Sequence, residues 1–158
     1  MKLFWKSISS PVGNLKLVAR DSALVAILWE SEPLVQFAAK TPLHPLLREC
    51  ERQLDEYFAG RQREFSLDLD FDGTKFQKSV WRELLSIPFG KTETYGEIAA
   101  RIGRPTAVRA TGGAIGKNPI PIVVPCHRVI GSNGKLTGFA GGLKIKKALL
   151  ALEAQALR

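Results

Sequence analysis

The chain of 158 residues predicts an α+β protein in two parts, a small antiparallel sheet with one helix followed by a mainly helical domain. Three observations carry that prediction. Short β-rich runs separated by turn residues fill the first thirty positions. After residue 73, apolar residues recur at spacings of three and four. Charge is also divided unevenly: residues 1–71 carry 9 Lys/Arg and 10 Asp/Glu, whereas residues 72–158 carry 14 and 5. A near-neutral half joined to a basic half suits a support domain attached to one that binds a polyanion. The boundary falls at Asp72-Gly73, giving domains 1–72 and 73–158.

Leu3–Ser9 and Leu15–Arg20 flank the turn cluster Pro11-Val12-Gly13-Asn14, and Leu24–Trp29 follows Asp21-Ser22, so an antiparallel meander is expected. From Pro45 to Phe58, Leu46, Leu47, Cys50, Leu54, Tyr57 and Phe58 mark one helical face, with Gly60 as its stop. Phe65, Leu67, Leu69 and Phe71 alternate with Ser66, Asp68 and Asp70, the pattern of a half-buried strand. Thr74 caps a helix to about Ser86 with Phe76, Val80, Trp81, Leu84 and Leu85 inward. Thr94 and Glu97 form a capping box for Tyr95–Ile102, and Gly103 ends that helix. Thr106 to Ile115 forms the next, so the pair predicts a helix-turn-helix. A helix from Leu143 to Leu157 closes the chain.

Composition excludes several classes. No apolar run approaches the roughly 20 residues that span a bilayer, and the opening Met1-Lys2-Leu3-Phe4-Trp5-Lys6 lacks the pattern of a signal peptide. Two cysteines are too few for a disulfide scaffold, so a reduced, cytoplasmic protein is expected. Cys50, His44, Cys126 and His127 show no zinc-ligand spacing. Cys50, on an apolar helix face, belongs to the core.

Chemistry concentrates in Asn118-Pro119-Ile120-Pro121-Ile122-Val123-Val124-Pro125-Cys126-His127-Arg128-Val129-Ile130. Three prolines stiffen this connector and deliver a thiol beside an imidazole. A thiol is nucleophilic as thiolate, and a nearby base raises the thiolate fraction. On an extended strand adjacent side chains face opposite ways, so adjacency alone implies no direct Cys126–His127 bond. Thr106-Ala107-Val108-Arg109-Ala110-Thr111-Gly112-Gly113-Ala114-Ile115 occupies the recognition position of the helix-turn-helix. It lacks the several long polar residues that read a major groove. Gly112 and Gly113 each weaken a helix by about 1 kcal/mol relative to Ala. Either close approach to a minor groove or tight packing against another helix accounts for their smallness.

These segments resemble the O6-alkylguanine-DNA alkyltransferases, densely from Thr74 to Glu153 and weakly over residues 1–72. The resemblance implies a ribonuclease-H-like first domain and a helix-turn-helix second domain of the winged-helix kind. It implies irreversible, single-turnover transfer of an alkyl group to Cys126 from O6-alkylguanine in DNA, after the base is flipped out of the helix. O4-alkylthymine is a further substrate to test. By the same resemblance, His127 is the base through a bridging water and Glu153 orients it; Glu153 is the only acidic residue after Glu97. Tyr95 donates to the departing guanine, and Asn118 ties the recognition helix to the active-site strand. Arg109 takes the space of the extruded nucleotide, on a helix whose Ala110, Thr111, Gly112 and Gly113 approach DNA. Thr111 stands where valine is common. Val129 accepts from the guanine amino group, while Phe139 and Ala140 of Gly138-Phe139-Ala140-Gly141-Gly142-Leu143 cover the base. Phe139 replaces a common Tyr and Ala140 a serine, so those hydroxyls are absent. Lys75, Lys117 and Lys135 are candidate phosphate contacts. No metal or organic cofactor is called for, and the chain lacks the residues that bind zinc in the first domain of some relatives. A monomer bound to duplex DNA is expected. A non-catalytic helix-turn-helix regulator or alkyl-lesion sensor, and a cysteine hydrolase, are the alternatives.

Overall fold

Three strands of six residues begin the chain: β1 (Leu3–Ile8), β2 (Leu15–Arg20) and β3 (Ala23–Leu28). The computed structural model describes residues 2–34 and 38–158 and divides into two units, Met1–Phe71 and Asp72–Arg158. In the first unit β1 and β3 flank β2 in antiparallel pairing, and β4 (Ala38–Lys40) adds to β1 in parallel, giving the order β3-β2-β1-β4. Leu15, Leu17, Val18 and Ala19 of β2 are fully buried, as a central strand with branched side chains should be.

Helix α1 (Pro45–Phe58) starts with proline in its first turn, where no intrahelical N–H is needed. It buries Leu47, Cys50, Leu54 and Tyr57, while Leu46 and Phe58 at the edges of the stripe are half-buried. The strand expected over Phe65–Phe71 does not form. The segment is extended and its apolar residues alternate inward, but among the described residues it meets the sheet only at a bridge between Leu24 and Leu69. Leu24 bonds Asp68 and Asp70 through its backbone, at 2.8 and 3.0 Å. The N–H and C=O of Ser66 are instead satisfied by the side-chain amide of buried Gln53, at 2.8 and 3.0 Å. A side chain of α1 thus replaces the strand ladder.

The second unit opens with α2 (Lys75–Leu84), fixed by a capping box between Thr74 and Gln77. Val80, Trp81 and Leu84 face the core. Phe76 is half-buried and Leu85 is 46% exposed. The helix ends one residue before Leu85, which therefore leaves the inward stripe expected of it. Helix α3 (Tyr95–Arg101) follows the two-residue strand β5 (Glu93–Thr94), and Thr94 with Glu97 makes the expected capping box. Gly103 turns the chain at φ +77°, a left-handed conformation that favours glycine. Helix α4 (Val108–Gly116) then packs on α2, where the buried Trp81 indole donates to the Ala114 carbonyl at 2.8 Å.

The connector from α4 is buried from Ile120 to Val129, and Ile122 adopts φ +73°, which is strained for a β-branched residue. Cys126–Arg128 is a 3₁₀ turn and not extended chain, because the Arg128 N–H closes on the Pro125 carbonyl at 3.0 Å. Strand β6 (Val129–Ile130) pairs in parallel with β5, and α5 (Leu143–Ala156) ends the fold. Among the described residues no helix is long and apolar enough to cross a membrane.

Candidate active site

Glu153 organises the centre. It lies on α5, fully buried, and is bonded by Arg128, Gly90 and His127. Arg128 grips it with two nitrogens, Nε to Oε1 at 2.9 Å and Nη2 to Oε2 at 3.0 Å. The Gly90 N–H reaches Oε1 at 2.9 Å, and His127 Nε2 lies 2.6 Å from Oε2. Gly90 makes its bond from φ +78°, and a Cβ there would stand 2.1 Å from Leu157 Cδ1. Only glycine brings that N–H in without moving Leu157. Arg128 is itself fixed by donating to the Ile87 carbonyl at 2.7 Å and by its position 5.6 Å over the Phe89 ring.

This network sets the state of His127. Its ring is fully buried, and burial holds its pKa below the usual 6.5 against the pull of Glu153, with the charges of Arg128 and Lys146 adding to the depression. The imidazole is therefore neutral. With Nε2 engaged by the carboxylate, Nδ1 is the free basic nitrogen; it is buried and makes no hydrogen bond to protein.

Cys126 is 6% exposed. Burial pushes its thiol up to about 11, against the lowering effects of Asn118, Lys146 and the cysteine's own backbone. Burial therefore favours the protonated thiol at neutral pH, because desolvation outweighs the neighbours that favour the anion. Asn118 donates from Nδ2 to the Val124 carbonyl at 2.9 Å and accepts from the Ile120 N–H at 3.0 Å. The Cys126 N–H donates to the same Val124 carbonyl at 2.8 Å. Asn118 thereby joins the end of α4 to the segment carrying the sulfur.

Tyr95, at the start of α3, is half-buried. Its hydroxyl receives a hydrogen bond from Thr137 Oγ1 at 2.8 Å, which leaves its own proton available to another acceptor. The Val129 carbonyl, expected to serve the base, already accepts from Lys146 Nζ at 2.6 Å; one lone pair remains. Phe139 is half-buried and Ala140 exposed.

On α4, Arg109, Ala110 and Gly113 are exposed. Thr111 points the other way. It is fully buried and its hydroxyl donates to the Ala107 carbonyl at 2.7 Å, so its side chain has no part in the outward face. A Cβ built on Gly113 meets nothing within 4 Å, and one on Gly112 makes ordinary contact with the Tyr95 ring at 3.6 Å. Packing within the protein therefore requires neither glycine. Lys75, Lys117 and Lys135 are exposed.

Arg128, Lys146 and Thr137 are polar residues of this centre to which the sequence alone gave no role; for the first two a signal was present. The only carboxylate after Glu97 needs a cation if it is buried, and Lys146, Leu149 and Glu153 share one face of α5 by their spacing of three and four.

Residues 75–155 match the family model described as 6-O-methylguanine DNA methyltransferase, DNA binding domain. Residues 3–71 match the ribonuclease-like domain of the same family. The methylated-DNA–protein-cysteine methyltransferase of Mycolicibacterium paratuberculosis is 47% identical over 150 residues, covering 94% of this chain and 91% of that protein. The methyltransferase of the same name from Methanosarcina barkeri is 46% identical over 158 residues, covering 99% and 100%. The crystal structure of Mycobacterium tuberculosis OGT in complex with DNA superposes with a TM-score of 0.93 at 46% identity, covering 97% of this chain and 94% of that one.

Proposed function

The chain belongs to the 6-O-methylguanine DNA methyltransferase family, and from that premise we propose that it repairs O6-alkylguanine in DNA by moving the alkyl group to Cys126. The observation that carries this reading is the buried Cys126-His127-Glu153 arrangement, in which the carboxylate holds one imidazole nitrogen and leaves the other basic.

The Cys126 proton passes to His127 Nδ1 through a bridging water. The sulfur then attacks the alkyl carbon in line. The S–C bond forms, the C–O6 bond breaks, and the electron pair moves onto O6 and into the guanine ring. Tyr95, whose hydroxyl oxygen is held by Thr137, supplies a hydrogen bond or proton to the leaving base. The Val129 carbonyl uses its second lone pair on the guanine amino group, and Phe139 with Ala140 covers the ring. A base inside the stack is out of reach, so it must be extruded, with Arg109 filling the gap it leaves. Arg109, Ala110, Gly112 and Gly113 approach the minor groove, where small residues permit close contact and base identity is read poorly. That property suits a lesion found in any sequence. The reactive and DNA-facing groups all lie in residues 73–158, and residues 1–72 serve as a scaffold. The thioether is stable, so each molecule acts once. The protein works as a monomer in the cytoplasm, and O4-alkylthymine is a second substrate to test.

Incubation with a duplex containing O6-methylguanine, followed by peptide mass analysis, tests this. One methyl on the peptide bearing Cys126 is expected. Cys126→Ala should abolish transfer while retaining duplex binding. Duplex binding with no covalent change in the unsubstituted protein would favour a regulator or lesion sensor and contradict the proposal.

A further inference from the structure

Lys146 is 1% exposed, yet the partners of its ammonium are two neutral carbonyls, Val129 at 2.6 Å and Thr137 at 3.1 Å. Among the described residues no carboxylate is bonded to it. Glu153, seven residues on along the same face of α5, is occupied by Arg128, His127 and the Gly90 N–H. A buried cation without a counter-ion is costly, and the fold retains one here. Of an ammonium's three donors, two are engaged by those carbonyls. Val129, whose carbonyl holds the ammonium, directly follows the Cys126–Arg128 turn, which brings Lys146 beside the turn that carries the sulfur, and each charge favours the charged form of the other group.

We infer that Lys146 is the standing counter-ion of the Cys126 thiolate, unpaired at rest and paired only while the sulfur is deprotonated. This rests on the transfer reaction proposed above. When the Cys126 proton moves to His127, a negative charge appears on a sulfur removed from water. The groups that favour the anion of that sulfur are the Asn118 amide, the Lys146 ammonium and the cysteine's own backbone, while the adjacent His127 is neutral and held by the Arg128-clamped Glu153. Lys146 alone brings a positive charge not already neutralised by an acid. A fixed charge aimed at developing charge needs no rearrangement as the reaction proceeds. Once the S–C bond forms the sulfur is neutral again, and the guanine carries the electron pair away. The same ammonium holds the Thr137 carbonyl, and the Thr137 hydroxyl holds Tyr95, so one residue serves both ends of the displaced bond.

The test is the pH dependence of Cys126 alkylation by iodoacetamide, read by peptide mass in the full chain. Lys146→Gln keeps an N–H donor for the carbonyls and removes the charge; Lys146→Arg keeps the charge. The midpoint should rise by at least about one pH unit in Lys146→Gln, with methyl transfer near neutral pH slowed about tenfold. In Lys146→Arg the midpoint should stay near that of the unsubstituted protein. An unchanged midpoint in Lys146→Gln, even with slow transfer, would reduce Lys146 to a structural tie and overturn the inference. If Lys146→Gln does not fold, nitrogen NMR of Lys146 decides. Its ammonium should lose its proton at higher pH in the unsubstituted protein than in Cys126→Ala, and equal midpoints overturn the inference. Because iodoacetamide needs no DNA, failure to accept a methyl from O6-methylguanine would defeat the proposed function without deciding the role of Lys146.

Discussion

At the scale of single residues, Glu153 joins stability to chemistry. Its carboxylate neutralises Arg128, anchors Gly90 and orients His127 from a fully buried position. Glu153→Gln leaves the Arg128 guanidinium buried without its anion, a change that costs about 3 kcal/mol in comparable sites. Urea unfolding should show a loss of that order, and transfer to Cys126 should slow because the imidazole is no longer held. Unchanged stability would mean that Arg128 finds another partner. Cys126, His127 and Glu153 were legible from the motif and from the resemblance it carries. The protonation state of the sulfur was not, since desolvation depends on atoms brought together from α4, the connector and α5. Arg128 stood inside the quoted motif, yet its task is defined only by the position of Glu153, twenty-five residues later.

At the scale of elements, the recognition helix gives the sharpest expectation. Gly113 faces open space, so Gly113→Ala should stabilise the fold by up to about 1 kcal/mol. If small size at this position serves groove approach, the same variant should bind duplex more weakly. Thermal unfolding and duplex titration check both halves, and stabilisation with unchanged affinity would remove the groove argument. Arg109→Ala should slow transfer from duplex much more than from the free alkylated base, and equal slowing would contradict a role in base extrusion. The caps at Thr74 and Thr94, the whole of α1 and the whole of β2 were readable because each is dictated locally, by capping chemistry or by the period of apolar residues. The Phe65–Phe71 segment shows where that stops. Its alternation was right, but a ladder needs a partner edge, and Gln53 of α1 took the Ser66 backbone first. Strand β4 left no signal, because three residues of sequence Ala-Ala-Lys carry no β pattern of their own.

At the scale of the whole molecule, buried titratable groups bound the pH range of stability. His127 is held below its ordinary 6.5 when folded. The unfolded chain therefore binds the extra proton first, and stability should fall as pH drops below about 6.5. Cys126 and Cys50 are pushed up from 9.0 to about 11 and about 12, chiefly by burial. There the unfolded chain releases protons first, and stability should fall as pH rises above about 9. Urea midpoints across this range should form a plateau with two flanks, and Cys50→Ala should soften the alkaline one. The uneven charge of the two halves was visible in the sequence and implied a polyanion partner; what it could not give was which basic residues face one way. The central claim is that one sulfur accepts one alkyl group and is then spent. Its most direct measurement counts methyl groups lost from O6-methylguanine duplex per mole of protein under a large excess of DNA. The count should rise to one and stop, with every methyl recovered on Cys126; continued turnover past one, or transfer that survives in Cys126→Ala, would contradict it.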